Sequence, residues 1–208
     1  MNVVVFGASG ATGRELVKQA LAAGHRVTAF VRDAAQLPQR PGLRVLAGST
    51  ADAKAVGRAL AGQDAVLSAL GGRPWRRREN VCSSALRSIL PAMQRHGVQR
   101  IVAISTFGAG NSRAQLSLPA RLLVFGLLLG SEVQDKEAME AQLAASGTDW
   151  TVVRVGRLTD EPARGNWRAA DDGSIRGKGC IGRADVAAFM LGQLDSGEWS
   201  KRRPVLMY

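Results

Sequence analysis

The chain has 208 residues, 46% of them hydrophobic, and 28 Lys and Arg residues against 17 Asp and Glu give it a formal net charge of +11. This length predicts one domain with an ample core, and the charge favours anionic partners such as nucleic acid, a membrane surface or phosphorylated small molecules. The longest apolar stretch, residues 122–129, is far shorter than the roughly 20 residues that cross a bilayer, so no membrane span is expected. Met1 leads directly into an apolar run, so we expect no signal peptide and a cytoplasmic location.

Strand-like apolar runs alternate with helical runs along the chain. The strand-like runs are residues 3–6, 27–31, 44–46, 65–68, 101–105 and 151–154. The helical runs are residues 14–23, 53–61, 80–96, 132–145 and 183–194. This alternation implies right-handed βαβ units. It predicts a single-domain α/β Rossmann fold over residues 1–208, with a doubly wound, mainly parallel sheet and helices on both faces.

A glycine loop joins the first strand-like run to the first helical run. Gly7, Gly10 and Gly13 form a G-x-x-G-x-x-G pattern, and Ser9 and Thr12 add hydroxyl donors within it. Glycines allow the sharp turn, the close approach of a phosphate and the tight packing of helix on strand. The unpaired N–H groups of a helix N-terminus attract a pyrophosphate. We therefore expect a dinucleotide cofactor, the alternative being a plain strand–helix turn with no ligand.

The residue after the second strand-like run indicates which cofactor binds. Arg32 stands there, followed by Asp33. In this fold that position meets the adenosine ribose, where an acidic side chain binds the 2′-hydroxyl and an arginine binds a 2′-phosphate. The sequence therefore predicts NADP(H) in preference to NAD(H), the alternative being that Arg32 is a solvated loop charge.

Two irregular segments follow the later strands and are candidate walls for a substrate. Residues 107–130 follow the fifth strand, and residues 155–182 contain a stretch rich in Gly, Asp and Arg. Ligands of open α/β sheets lie outside the carboxyl ends of the strands, so we expect both segments on the substrate side. The apolar stretch 116–130 covers an apolar substrate, forms a dimer face or packs as a helix, so both a monomer and a homodimer remain open.

A basic run carries part of the net charge. It comprises Arg73 and Arg76 to Arg78, with Pro and Trp between them. Such a run is either a solvated loop or a contact to a flavin or nucleotide phosphate. No aromatic-rich strand or recognition helix accompanies it, so we expect no nucleic-acid partner.

Segments throughout the chain carry a resemblance to a known family. They are residues 4–13, 25–33, 60–68, 93–98, 145–153 and 183–190. On these segments the chain resembles the atypical short-chain dehydrogenases, and within them the group of NADPH-dependent flavin reductases and biliverdin-IXβ reductases. The resemblance implies a reductase that transfers hydride from NADPH to a flavin, quinone or similar planar acceptor, with FMN or FAD as candidate substrates.

Carried over residue by residue, the resemblance implies a set of cofactor-binding positions at the strand ends. They are Gly7, Ser9, Gly10, Ala11, Thr12 and Gly13 for the pyrophosphate, Arg32 for the 2′-phosphate, Ser49 and Thr50 for the adenine, Ala69, Leu70 and Gly71 for the ribose and phosphates, and Ser105, Val153, Arg154 and Val155 beside the nicotinamide. The family often has an acidic residue where this chain has Ser49, which leaves the adenine contact to the two hydroxyls.

The usual acid of short-chain dehydrogenases, a tyrosine four residues before a lysine, is missing from its usual place. The one tyrosine is Tyr208, the last residue. Lys136 stands where the lysine would be, but the position four residues earlier is Glu132. Lys136 either contacts the nicotinamide ribose or is a surface charge on its helix. Cys82 and Cys180 lack metal-ligand spacing, so no metal site is expected.

The resemblance places two acceptor-side groups near the nicotinamide. The hydroxyl position falls on Thr106, with Ser105 adjacent, and the histidine position falls on Arg157. Arginine cannot donate a proton near neutral pH but can bind an anion. The candidate catalytic residues are thus Thr106, Ser105, Arg157 and Lys136, and the predicted partner is a planar, anionic small molecule, with biliverdin disfavoured. The alternative function is a non-catalytic NADP(H)-binding redox sensor.

Overall fold

The structure is a computed structural model that describes residues 1–71, 80–115, 130–175 and 179–208. The basic run at Arg73 to Arg78 and all but one residue of the apolar stretch 116–130 lie outside the described residues. The expectations attached to those two segments, an anion contact and an apolar cover or dimer face, therefore have no structural counterpart here.

Eight strands form one sheet, in the spatial order β3-β2-β1-β4-β5-β6-β10-β8. The strands are β1 (Asn2–Phe6), β2 (Arg26–Val31), β3 (Leu43–Ala47), β4 (Ala65–Ser68), β5 (Arg100–Thr106), β6 (Asp149–Val155), β8 (Arg168–Ala170) and β10 (Val205–Met207). Every pairing is parallel except that of β8 with β10. Two further strands, β7 (Arg157–Thr159) and β9 (Cys180–Gly182), form a separate parallel pair.

Helices cover both faces of this sheet. The α-helices within the described ranges are α1 (Ala11–Ala22), α2 (Ala53–Leu60), α3 (Val81–His96), α4 (Gly130–Ala145) and α5 (Arg183–Gly192). Helices α1 and α5 pack together on one face, and α2, α3 and α4 pack side by side on the other. Short 3₁₀ segments follow β2 at Ala34–Gln36 and β5 at Gly110–Gln115. The predicted fold class, a doubly wound α/β Rossmann fold, is confirmed.

The central strands β1, β4, β5 and β6 are buried along nearly their whole length, which explains their mainly apolar sequences, whereas the edge strands β3 and β8 are half-buried or exposed. Val3 and Val5 of β1 pack into the core on the α1 and α5 face, whereas Val4 and Phe6 pack against the α2 and α3 face. Burying both faces fixes the register of the strand, because a slip by one residue would exchange the two cores.

The parallel arrangement brings the ends of the central strands to one edge. Strand β1 lies between β2 and β4, so the chain turns in opposite directions after β1 and after β4 and leaves a crevice there. Ligands of open α/β sheets bind at such a switch point. The glycine loop, the turn after β4 and the end of β5 all meet at this crevice.

Candidate functional site

The glycine loop has room for backbone only. Gly7 adopts a φ of +79°, and a Cβ on it would lie 2.7 Å from the carbonyl oxygen of Ala69. A Cβ on Gly13 would lie 2.1 Å from the carbonyl oxygen of Gly7. These clashes show why both positions need glycine and why α1 can begin directly beneath β1 and β4.

The N-terminus of α1 is open to an anion. Gly10 is its N-cap with extended backbone, and no side chain of the described residues caps the helix. The loop is closed by the Gly10 N–H, which donates to the Gly7 oxygen at 3.0 Å, and by the Arg14 N–H, which donates to the Gly10 oxygen at 2.8 Å. The N–H groups of the first turn are therefore free to bind a pyrophosphate, which fits the dinucleotide cofactor expected from the sequence.

Arg32 is available to a ligand, whereas its acidic neighbour is not. The Arg32 side chain is exposed directly after β2 and makes no hydrogen bond or ion pair within the described part of the chain. The Asp33 carboxylate accepts the Ala35 N–H at 3.0 Å and caps the following 3₁₀ segment. The Arg14 guanidinium donates to the carbonyl oxygens of Ser9 and Gln36 at 3.0 and 3.2 Å and so ties this segment to the glycine loop.

The segment after β3 lies beside the end of β2. The Gly48 N–H donates to the Val31 oxygen at 2.8 Å, and a Cβ on Gly48 would lie 2.7 Å from the Phe30 ring. Ser49 is exposed and its hydroxyl accepts the Ala51 N–H at 3.2 Å, while Thr50 is half-buried. The predicted adenine contacts of Ser49 and Thr50 stay predictions.

Lys136 is buried and links the ends of two strands by hydrogen bonds. Its side chain is only 4% exposed, and its ammonium donates to the carbonyl oxygens of Leu70 at 2.7 Å and Ile104 at 2.9 Å. The interpretation of Lys136 as a surface charge is therefore wrong. These two bonds hold the turn after β4, with Leu70 and Gly71, against the end of β5, and a contact with the nicotinamide ribose stays a prediction.

Asp135, next to Lys136, caps a helix other than its own. Its carboxylate accepts the backbone N–H groups of Cys82 at 2.8 Å and Ser83 at 2.9 Å, and the Ser83 hydroxyl at 2.6 Å. These groups belong to the first turn of α3, whose own N-cap, Asn80, makes no side-chain cap. Burial raises the pKa of the Cys82 thiol, which argues against a reactive thiolate there.

Ser105 and Arg154 are tied to a buried carboxylate. Glu140 of α4 accepts the Ser105 hydroxyl at 2.7 Å and two guanidinium nitrogens of Arg154 at 3.1 and 2.6 Å. Arg203 approaches the same carboxylate at 3.3 Å, and Arg154 also donates to the side chain of Asn111. The side chains of Ser105 and Arg154 are thus held by Glu140 of α4, and their predicted contacts with the nicotinamide stay predictions.

Of the remaining residues predicted near the nicotinamide and the acceptor, some are buried in the core and others are exposed or half-buried. Val153 and Val155 are buried among apolar side chains, so only their backbone can meet a ligand. The Thr106 side chain is half-buried and makes only a 3.4 Å contact with the Phe107 oxygen. Arg157 is exposed in β7, and within the described residues its guanidinium has no partner. Of the predicted acceptor-side residues, Thr106 has only this long hydroxyl contact and Arg157 has an unpaired guanidinium within the described part of the chain.

The hydroxyl of the single tyrosine is also hydrogen-bonded within the protein. The Tyr208 hydroxyl donates to the Asp185 carboxylate and accepts the Gly182 N–H at 3.0 Å. The Asp185 carboxylate also accepts the N–H groups of Arg164 and Gly165, the latter at 3.0 Å. This network joins the end of β10 and the start of α5 to the predicted substrate-side segment 155–182, and no sequence signal indicated it because its members are far apart in the chain.

Neither a metal-binding cluster nor a membrane-spanning helix occurs among the described residues. They contain no group of three or more His, Cys, Asp or Glu residues arranged to hold a metal ion. In the same part of the chain, none of the helices is long and apolar enough to pass through a membrane.

A family model described as NAD(P)H-binding matches residues 7–197. The chain belongs to this NAD(P)H-binding family. The match begins at Gly7 of the glycine loop and ends beyond α5, so it includes the turns after β1, β4 and β5 that form the site.

Curated relatives extend the match over the whole length. The chloroplastic protein At2g34460 of Arabidopsis thaliana is 30% identical over 214 residues, which cover 94% of this chain and 73% of that protein. YwnB of Bacillus subtilis strain 168 is 24% identical over 98% of this chain and 96% of its own. A 3-beta-hydroxysteroid dehydrogenase of Mycolicibacterium neoaurum is 33% identical, but the match covers 49% of this chain and 31% of the dehydrogenase.

Solved structures of this NAD(P)H-binding type share the fold. ChuY, an anaerobillin reductase from Escherichia coli O157:H7, has a TM-score of 0.84 and 25% identity, with 100% of this chain and 97% of ChuY covered. A short-chain dehydrogenase/reductase from Veillonella parvula, solved in complex with NADP, has a TM-score of 0.85 at 17% identity, covering 100% of this chain and 94% of its own, and shows the fold alone. The predicted NAD(P)H cofactor class is confirmed.

Proposed function

We propose that this protein is an NADPH-preferring reductase that transfers hydride to a planar, anionic acceptor such as a flavin or a quinone. The observation that supports the cofactor preference lies at the end of β2. The Arg32 guanidinium is exposed and has no partner among the described residues, whereas the Asp33 carboxylate accepts the Ala35 N–H of its own 3₁₀ segment. Of the two charges that follow β2, the one left available to the ribose among the described residues is therefore positive, which suits a 2′-phosphate.

The chain's own residues would bind and orient the reactants. The loop from Gly7 to Gly13 would hold the pyrophosphate, Arg32 the 2′-phosphate, and Ser49 and Thr50 the adenine. Bound NADPH supplies the hydride, so the protein contributes orientation and proximity. Arg157, which is exposed at the same edge and has no partner among the described residues, would attract an anionic acceptor, and segments 107–130 and 155–182 would flank it.

The similarity to ChuY supports the reductase class and adds a further acceptor to test. ChuY is called an anaerobillin reductase, so a bilin belongs beside flavins and quinones on a panel of planar acceptors. Arg157 stands where the resemblance to the flavin and biliverdin reductases places a histidine. This argues against a bilin as the preferred acceptor, because arginine does not supply a proton near neutral pH.

A second candidate function is a redox sensor that binds NADP(H) without turnover. It is favoured by the hydroxyls that are already occupied: Ser105 donates to Glu140 and Tyr208 donates to Asp185. Neither residue is free to act as the proton donor of an ordinary short-chain dehydrogenase.

Steady-state oxidation of NADPH separates the two candidates. The assay follows loss of NADPH absorbance with FMN, menadione or biliverdin as acceptor, against an acceptor-free control and a parallel series with NADH. We expect turnover well above the control with at least one acceptor, and faster turnover with NADPH than with NADH. Tight NADPH binding by calorimetry with no turnover on any acceptor would contradict the reductase and favour the sensor.

A further inference from the structure

The side of α4 that faces the sheet carries charged side chains, and two of them, Glu140 and Lys136, bind groups at the ends of neighbouring strands. Glu140 contacts Ser105 of β5 and Arg154 of β6. Lys136, one turn nearer the start of α4, contacts the carbonyl oxygens of Leu70 and Ile104. Residues four apart lie on the same face of a helix, so the next residue on this face is Glu132.

Glu132 lies beyond the strand ends. Helix α4 begins at the carboxyl edge of the sheet and runs back toward the start of β6, and Lys136 is already bonded to the turn that follows β4. Helical side chains lean toward the N-terminus of their helix. Glu132 therefore stands about one helical turn beyond Lys136, toward the end of α4 that is nearer the crevice.

Glu132 is half-buried, and its carboxyl group is not used to hold other described residues in place. Within the described residues it makes no hydrogen bond or ion pair, although every other acidic residue of α4 is engaged: Asp135 caps α3, Glu137 accepts the Gly110 N–H at 2.9 Å, and Glu140 binds Arg154. The ammonium of Lys136 is shared between two carbonyl oxygens, so it does not neutralise Glu132 in a close pair.

We propose that Glu132 is the catalytic acid of this protein and protonates the acceptor as it is reduced. The inference rests on the proposed reductase function. Hydride passes from bound NADPH to the acceptor, and the oxygen or nitrogen that gains the electron pair takes the proton from the Glu132 carboxyl group. The O–H bond of Glu132 breaks as the new O–H or N–H bond forms, and the resulting carboxylate regains a proton from water.

The protonation state of Glu132 fits this role. Burial raises the pKa of Glu132, Lys136 acts in the opposite direction and Asp135 adds to the rise. Among the described residues, the titratable groups that act on Glu132 are these two on α4. A raised pKa keeps a larger share of the carboxyl group protonated toward neutral pH, as a general acid requires.

The substitution Glu132→Gln keeps the shape and removes the proton. With whichever of FMN, menadione or biliverdin the wild type reduces, we expect kcat to fall at least about tenfold to a hundredfold, while the Kd for NADPH stays within about twofold. The wild-type kcat should decline as pH rises through the raised pKa of Glu132, and Glu132→Gln should lose that decline. The matched control is Glu198→Gln, an exposed glutamate away from the site, which should keep wild-type rates and pH profile.

A second readout does not depend on turnover. The carboxyl carbon of Glu132, assigned in ¹³C-labelled protein by its disappearance in Glu132→Gln, should titrate above the usual value of a glutamate of about 4.3. A titration at or below that value would overturn the acid role. Wild-type turnover that Glu132→Gln leaves unchanged would overturn the acid role alone, whereas absence of wild-type turnover with every acceptor would overturn the reductase function and the acid role together.

Discussion

Arg32 and Asp33 show how one backbone turn separates two opposite charges. Both follow β2, and either could meet the ribose of a dinucleotide. The Asp33 carboxylate accepts the N–H of Ala35 two residues on, as aspartates at the start of short helical turns commonly do. Arg32 has no such local partner, so its guanidinium stays free for a ligand.

The first prediction concerns Arg32→Ala. A charge-assisted hydrogen bond to a 2′-phosphate contributes about 1.5–3 kcal/mol, so the Kd for NADPH should rise by about tenfold to a hundredfold, while that for NADH changes by less than about twofold. Calorimetric titration with each cofactor measures both constants. Arg26→Ala, at the exposed opposite end of the same strand, is the control and should change neither. Equal losses for NADPH and NADH would show that Arg32 does not contact the 2′-phosphate.

Single residues of the cofactor cradle could be predicted, but the directions of the polar side chains beside it could not. Gly7 and Gly13 are visible in the sequence because the chemistry of the loop demands glycine at a fixed spacing. The direction of Ser105 depends on Glu140, which is 35 residues away, and that of Arg154 depends on the same carboxylate. The local sequence around Ser105 and Arg154 does not indicate that a buried carboxylate from a distant helix will pack against them.

At the scale of elements, α3 and α4 are joined at the edge that carries the site. Asn80 does not cap α3 with its side chain, and Asp135 of α4 supplies the acceptor for the first turn instead. A carboxylate near a helix N-terminus also interacts favourably with the partial positive charge there. Since Lys136 follows directly, this junction fixes both the start of α3 and the turn after β4.

The second prediction is that Asp135→Asn destabilises the fold. The change removes the negative charge while keeping nearly the same size, and it sets an amide against the N–H groups of Cys82 and Ser83. We expect the free energy of unfolding to fall by about 1–3 kcal/mol, measured by urea denaturation. Gln134→Ala, at the exposed neighbouring position, is the control and should cost less than about 0.5 kcal/mol. A stability equal to that of the wild type would mean that the cap contributes nothing.

The sequence predicted the elements that have an apolar pattern. It did not predict the shortest strands, or which side of a helix with a polar buried face meets the sheet. Strands β1 to β6 show continuous apolar runs and were found at their predicted places. Strands β7 to β10 have three residues each, too few to show a period, and depend on pairing with distant segments. Helix α4 was located, but its buried face carries Asp135, Lys136 and Glu140, so no apolar stripe revealed which side faces the sheet.

At the scale of the whole molecule, the end of the described chain extends the sheet and supports the substrate side. Strand β10 pairs with β6, and Tyr208 directly after it donates its hydroxyl to Asp185. Burial pushes the pKa of Asp185 upward, but the hydrogen bonds from Tyr208, Arg164 and Gly165 outweigh it and lower the pKa below its usual value. One ionised carboxylate thus connects the sheet, α5 and the segment before β8.

The pH dependence of stability follows from that lowered pKa. A carboxyl group whose pKa is lower in the folded state stabilises the fold above its unfolded pKa of about 3.9, and this contribution is lost as pH falls through the folded pKa. Asp185 should therefore stabilise the protein at neutral pH and cease to do so in acid. Because Tyr208 and the backbone N–H groups of Arg164 and Gly165 then donate to a neutral carboxyl group instead of a carboxylate, the contacts of Arg164 and Gly165 with Asp185 should weaken over the same pH range.

The third prediction compares Asp185→Asn with Asp195→Asn, an exposed aspartate on the loop after α5. Urea denaturation should show Asp185→Asn less stable than the wild type by about 1–3 kcal/mol near neutral pH, because it replaces a carboxylate that accepts charge-assisted hydrogen bonds. The difference should shrink as pH falls below about 4, because the wild-type carboxylate then becomes protonated. Asp195→Asn should follow the wild type throughout. A difference for Asp185→Asn that stays constant down to acid pH would show that the ionised state of Asp185 does not hold these elements together.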